Sequence, residues 1–115
     1  MDIIRHEPGK ILSGAVEANG FVFVAGQVAD DLTKGVRAQT EQVLARIDAL
    51  LAKAGSSKSK ILSANVWVTD IRNRDEMNQA WTAWLDPKNP PARATAEAKL
   101  ADPRMLVEIA CVAVK

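Results

Sequence analysis

The spacing of apolar residues between Val36 and Ala54 constrains the fold of this chain more than any other feature. These residues recur at steps of three and four, which places them on one face of a helix, while charged and amide residues take the other. Gly55 follows directly and is typical of the left-handed residue that ends a helix. The sequence therefore predicts one long amphipathic helix that buries a single face.

The segment before this helix has the pattern of a β-hairpin. Two short apolar runs, residues 11–16 and 21–25, are separated by a stretch that contains Asn19-Gly20. Asn-Gly between β-forming residues is the strongest short-range hairpin signal. Residues 26–35 then lose all periodicity and accumulate Gly and Asp, which predicts a loop before the helix.

The second half of the chain repeats strand and helix patterns. Residues 62–69 alternate as a strand does, and residues 73–85 carry a capping pattern followed by apolar residues at helical spacing. Prolines end that helix, and two strand-like runs follow, at 92–99 and 106–114, separated by a turn-prone segment. The predicted order is β-β-α-β-α-β-β, a single α+β domain over residues 1–115. We expect one mostly antiparallel sheet with both helices on one face.

The strand at 92–99 indicates what the two faces of the sheet do. Four alanines alternate with Arg, Thr, Glu and Lys. We expect the alanines to pack against the helices and the polar side chains to lie on the opposite face. A sheet covered on one face commonly associates with other copies, so the sequence predicts an oligomer with polar groups at its seams.

Charge and composition exclude several function classes. A net charge of +1 gives no broad positive field, so we expect no nucleic-acid partner and no membrane partner. The single cysteine, Cys111, has no partner for an intrachain disulfide. The single histidine, His6, cannot build a His-rich metal site, and it lies near a chain end that we expect to be mobile. The chain also lacks a bilayer-length apolar run and a secretory pattern at its start, which predicts a cytoplasmic protein.

Arg93 and Glu108 are the strongest candidates for chemistry, because each is a charge on a predicted strand. Arg93 follows a proline pair, and its planar guanidinium matches a carboxylate with two parallel hydrogen bonds. The alternative is an ion pair at the surface or between subunits. Glu108 is the only charge between Arg104 and Lys115 and has the chemistry of a general acid or base. The alternative is an edge-strand charge that prevents aggregation.

Geometry limits how these two residues can cooperate. If the last two strands form a hairpin, Glu108 lies opposite the region around Thr95, and its backbone is about 7 to 13 Å from that of Arg93. The two residues could then bracket a small carboxylate-bearing molecule along one sheet or across a subunit seam. Thr95 shares the face of Arg93, and Asn78 on the second helix could orient a ligand; each is also ordinary for its position. Cys111 has the surroundings of a small buried hydrophobe.

The order of several short motifs resembles that of a known family. Glu108, in Val107-Glu108-Ile109, is the fifteenth residue after Arg93, in Pro91-Ala92-Arg93. The other matching motifs are Gly26-Gln27, Gln42, Ala54-Gly55, Val66-Trp67-Val68-Thr69-Asp70 and Met77-Asn78-Gln79-Ala80-Trp81. Over nearly the whole chain this arrangement resembles the RidA enamine/imine deaminases, also called the YjgF or RutC-like proteins.

The resemblance implies a chorismate-mutase-like fold and a homotrimer whose sheets form a central barrel, with clefts between subunits. It implies no cofactor and no metal. The implied reaction is hydrolysis of 2-aminoacrylate and related 2-imino acids to 2-keto acids and ammonia. On this resemblance Arg93 would hold the substrate carboxylate and Glu108 would position or activate water. The strand at Thr95 would line the pocket, with Asn78 and the Ala25-Gly26 turn in its wall.

The sequence leaves alternatives to this activity. Active members of the best-known branch place a tyrosine in the segment equivalent to residues 9–14, and this chain contains no tyrosine. A non-catalytic protein of the same fold, which binds a small keto or amino acid or protects other proteins as a chaperone does, is the second hypothesis. A nuclease or translation inhibitor is the third, and the near-zero net charge argues against it.

Overall fold

The computed structural model describes all 115 residues, in six β-strands and two α-helices. The strands are β1 (Ile3–Pro8), β2 (Ser13–Ala18), β3 (Phe21–Gln27), β4 (Ile61–Val68), β5 (Ala92–Glu97) and β6 (Val107–Val114), and the helices are α1 (Val36–Lys53) and α2 (Arg74–Trp84). Single turns of 3-10 helix at Lys58–Lys60 and Ile71–Asn73 precede β4 and α2. Neither α-helix is both long and apolar enough to cross a membrane.

The six strands form one sheet in the order β1-β2-β3-β6-β4-β5. Every neighbouring pair is antiparallel except β4 and β5, which run parallel. Both α-helices contribute to one core against the same sheet face, in which Leu44, Ile47 and Met77 are fully buried. The α+β class, the mostly antiparallel sheet and the helices on one face are therefore confirmed.

Helix α1 has the predicted character. Its apolar stripe supplies Val43, Leu44, Ile47 and Leu51, each at most 1% exposed. Gly55 adopts φ +74°, and the amide of Ser56 donates to the carbonyl of Leu51 at 2.8 Å, a hydrogen bond that caps the last turn of the helix. The glycine thus ends the helix as expected.

The chain start forms a strand that the sequence did not predict. β1 pairs with β2 at the sheet edge, so the expectation of a mobile end around His6 is wrong. His6 hydrogen-bonds to Glu17 of β2, and Lys115 Nζ lies 2.8 Å from the other oxygen of this buried carboxylate. β2 also begins later than expected, and Ile11 and Leu12 stay exposed in the turn before it.

The hairpin considered for the last two strands does not form. β4, α2 and β5 make a strand–helix–strand crossover, which places β5 beside β4 in parallel. β6 instead lies between β3 and β4, so Glu108 is opposite Trp67 of β4 and not opposite the Thr95 region. A strand with alternating residues fully buried belongs at the centre of the sheet.

The faces of β5 are also reversed relative to the prediction. Arg93 and Thr95 pair with Ala64 and Val66, whose side chains belong to the helix-side core, and paired residues share a sheet face. The alternating alanines Ala92, Ala94 and Ala96 are exposed on the other side, which we call the open face. The open face is also more apolar than expected, because it carries Phe21, Phe23, Val112 and Val114.

Candidate functional site

Arg93 lies on the edge strand β5, where its side chain turns toward α2. Its guanidinium carbon is 5.0 Å from the centre of the Trp81 ring, and Nη1 is 4.0 Å from Met77 Sδ. Burial, together with repulsion from Arg74, lowers the pKa of Arg93, although a guanidinium stays charged at neutral pH. None of the chain's ion pairs involves Arg93. The structure therefore holds a half-buried cation on an aromatic ring with no anion of its own.

The backbone beside Arg93 adds hydrogen-bond donors at the same edge. The amide of Ala98 donates to the carbonyl of Val68 at 3.0 Å. In a parallel ladder alternate residues face the neighbouring strand, so the even-numbered residues of β5 bond to β4. The amides of Arg93 and Thr95 then point to the free edge of the sheet. A guanidinium and edge amides together are the donors that recognise a carboxylate.

The Thr95 side chain shares the helix-side face with Arg93. Its hydroxyl oxygen is buried and has no hydrogen-bond partner. A buried hydroxyl without a partner carries a desolvation cost, and such groups merit a functional explanation when they lie beside a candidate site. The outward-pointing amide of Thr95, and not its hydroxyl, is the group available to a ligand at the edge.

Glu108 occupies the open face of β6, between Trp67 of β4 and Gly26 of β3. Trp67 is its cross-strand partner, which puts the two Cβ atoms about 5 Å apart. A Cβ atom added to Gly26 would lie 2.0 Å from Glu108 Oε2. Glu108 is half-buried and takes part in no ion pair of the chain. The carboxylate is thus held by packing alone, against a glycine that leaves it room.

The strand that carries Gly26 is irregular at this position. Pairing of β3 with β6 changes register between Val24 and Gln27, so Ala25 and Gly26 form a bulge. Bulges bend a strand and change where its residues point. The predicted wall residues Ala25 and Gly26 therefore lie together in the bulge, and Gly26 is directly beside Glu108.

Asn78 lies elsewhere, on α2. It lines an open groove of about 610 Å³ between the two helices, together with Arg37, Asp75 and Gln79. Asn78 follows Met77, the residue that contacts Arg93, so it belongs to the helix that supports the guanidinium.

The candidate residues thus form two groups on opposite faces of the sheet. Arg93 and Thr95 lie on the helix side of β5, and Glu108 with Ala25 and Gly26 lies on the open face. From the register, the backbones of Arg93 and Glu108 are roughly 14 Å apart. A small molecule therefore does not contact both groups within one chain, which excludes the arrangement along one sheet.

Sequence reasoning missed three residues at these positions. Trp67 alternates with buried residues of β4, a pattern that places it on the open face, but only the register puts it beside Glu108. Trp81 and Met77 are both buried in the core, and both also contact Arg93. No three His, Cys, Asp or Glu side chains lie close enough together to hold a metal ion.

Comparison with known proteins identifies the family. The family model described as Endoribonuclease L-PSP matches residues 5–115. The chain belongs to this family. It is 45% identical to a RutC family protein of Haemophilus influenzae over 114 residues, 98% of each chain. It is 38% identical to the RutC family protein YoaB of Escherichia coli over 113 residues, again 98% of each chain.

Solved structures agree with this assignment. A YjgF family member from Neisseria meningitidis matches with a TM-score of 0.96 and 42% identity, covering 100% of this chain and 96% of that one. A Mycobacterium tuberculosis protein of the YjgF/YER057c/UK114 family matches with a TM-score of 0.90 and 26% identity, covering 99% and 100%. The family expected from the motifs is therefore confirmed.

Proposed function

We propose that this family member hydrolyses reactive 2-enamino and 2-imino acids to 2-keto acids and ammonia. The observation that carries the proposal is Arg93, a half-buried guanidinium with no carboxylate partner, at a sheet edge whose amides point outward. Partial burial removes some of the water around this cation, and the anion of a ligand would compensate for that loss. The carboxylate of a small metabolite is such an anion.

The chemistry needs few groups. An enamine first gains a proton at carbon and loses one from nitrogen, which makes it an imine. Water then adds to the imine carbon, and one of its protons passes through Glu108 to the nitrogen, which gives a carbinolamine. The carbinolamine hydroxyl then gives its proton to the nitrogen by the same route as the carbon–nitrogen bond breaks, which releases ammonia and leaves a ketone. Glu108 takes a proton from water and returns it to nitrogen, so the carboxylate is unchanged after each turnover. Because the imine carbon is already electrophilic, orientation of water and substrate supplies most of the rate acceleration.

The proposed active assembly is a homotrimer in which each cleft joins two subunits. Arg93 and Glu108 lie on opposite faces of one sheet, so a cleft that contains both must take one from each of two neighbours. The apolar open face, with Phe21 and Phe23 at 39% and 47% exposure, supports association through that face. We also place the protein in the cytoplasm, because its single thiol is buried and forms no disulfide.

The test follows ammonia and keto acid from freshly generated 2-iminopropanoate. Wild type should exceed the rate in buffer, and Arg93→Ala and Glu108→Gln should each lose at least about a hundredfold in kcat/KM. Arg104→Ala is the matched control, because that guanidinium pairs only with Asp102 in its own loop. Equal acceleration by wild type and Arg93→Ala would refute the proposal. No acceleration, combined with keto-acid binding that requires Arg93, would favour a non-catalytic binding protein.

A further inference from the structure

The bulge that faces Glu108 is braced from behind by a buried amide. Gln27 is 5% exposed, and its Nε2 donates to the carbonyl of Ala25 at 2.9 Å. This bond closes the loop of chain that contains Gly26. A side-chain donor thereby replaces the strand pairing that Ala25 lost when the register shifted.

The other end of the same amide is tied to α1. Arg46 Nε donates to Gln27 Oε1 at 3.1 Å, and Arg46 Nη1 donates to Asp30 Oδ1 at 2.6 Å. One planar guanidinium therefore joins the residue at the end of β3 to the loop that follows it. Because Arg46 belongs to a helix packed on the core, the bulge is fixed to a rigid element.

We propose that Gln27 and Arg46 are positioning residues for Glu108, acting through the Ala25-Gly26 bulge. The backbone of Gly26 lies so close to Glu108 Oε2 that a single added carbon would overlap it. Any relaxation of the bulge therefore changes the space that holds the carboxylate. Neither Gln27 nor Arg46 touches substrate in this scheme. Their effect on rate comes from holding the Glu108 carboxylate within reach of the attacking water.

The inference rests on the proposed deaminase function, and its test separates the two. Arg46→Met keeps the aliphatic stem and removes both donors. It should lower kcat by about ten- to hundredfold, with a change in KM below about twofold. The matched control is Lys53→Met, which removes a cation of the same helix whose 2.7 Å ion pair with Glu7 does not reach the bulge. That control should keep the wild-type kcat within about twofold.

A double-mutant cycle tells positioning from general damage. In the Glu108→Gln background, Arg46→Met should lower the residual rate no further, because the group it positions is already gone. Gln27→Met should show the same dependence on Glu108. An equal loss from Arg46→Met in both backgrounds, or no loss in either, would overturn the inference.

A second readout needs no activity. The protein is labelled with ¹³C at the glutamate carboxyl carbons, and the Glu108 resonance is assigned by its absence in Glu108→Gln. This resonance should shift or broaden in Arg46→Met and stay unchanged in Lys53→Met. An unchanged resonance in Arg46→Met would overturn the positioning role whatever the rates. If wild type does not accelerate hydrolysis but the resonance moves, the deaminase proposal fails while the structural link between Arg46 and Glu108 holds.

Discussion

Gly26→Ala displaces the Glu108 carboxylate without altering its chemistry, which makes it a sharp test of the proposed role of this group. The new Cβ would lie 2.0 Å from Oε2 and 3.0 Å from Cδ of Glu108. Non-bonded carbon and oxygen atoms stay roughly 3.0 to 3.4 Å apart, so the carboxylate must retreat by about 1 Å or more. It can do so by rotation, because the overlapping atoms are the far end of a flexible side chain.

The expected kinetic effect is large and the stability effect small. Misplacement of a catalytic group by about 1 Å costs about a hundredfold in rate, which is ~2.7 kcal/mol of activation free energy. Gly26 does not adopt a left-handed conformation, so alanine fits its backbone angles without strain. The main effect of alanine on stability is then to reduce the conformational freedom of the unfolded chain, and the free energy of unfolding should change by no more than about 1 kcal/mol.

The assay compares Gly26→Ala with Gly35→Ala, a glycine for which an added Cβ meets nothing within 4 Å. Initial rates of ammonia release and urea unfolding are measured for both variants. The reasoning predicts a loss of kcat in Gly26→Ala alone, with both proteins fully folded. A Gly26→Ala enzyme with kcat within about twofold of Gly35→Ala would show that the position of Glu108 does not control the reaction.

Three further outcomes are expected. Arg93→Lys keeps the charge but loses the planar fork and the ring contact, so KM should rise by about tenfold, and an unchanged KM would argue against two-point carboxylate binding. The hydrogen bond from Lys115, with that from His6, lowers the pKa of Glu17 below 4.5 in the folded protein. The ionised Glu17 carboxylate therefore stabilises the fold above pH 4.5, and this stabilisation is lost as the pH falls through the pKa of Glu17 in the folded protein. Thermal melts should therefore show a steeper fall in Tm on acidification for wild type than for Glu17→Gln, and parallel curves would contradict this. Burial raises the pKa of Cys111 to about 12, so a disulfide reagent should label it only in denaturant, and rapid labelling of native protein would disprove its burial.

The sequence predicted the elements whose signals are local. The stripe of α1, the Gly55 end and the Asn19-Gly20 turn each depend on neighbouring residues, and all three have the expected structure. β1 was missed because Arg5, His6 and Glu7 give it no apolar alternation. Its pairing depends on contacts with β2, which no local pattern contains.

The residues of the candidate site were easier to predict than their faces. Alternation along β5 shows that the strand has two unlike sides, but it does not say which side is buried. Four alanines suggested close helix packing, yet the long stem of Arg93 fits over Trp81 and the alanines face outward. The strand order had the same difficulty, because the β4–α2–β5 crossover and the central place of β6 are decided by pairings between distant segments.

Mixed oligomers test most directly whether Arg93 and Glu108 of neighbouring subunits form one site. Arg93→Ala and Glu108→Gln chains, each expected to be at least about a hundredfold less active alone, are denatured together in equal amounts and refolded. If a cleft takes Arg93 from one subunit and Glu108 from the next, random trimers should regain roughly a quarter of the wild-type rate. If the mixture stays as inactive as its parents while refolded wild type recovers fully, the shared site does not exist.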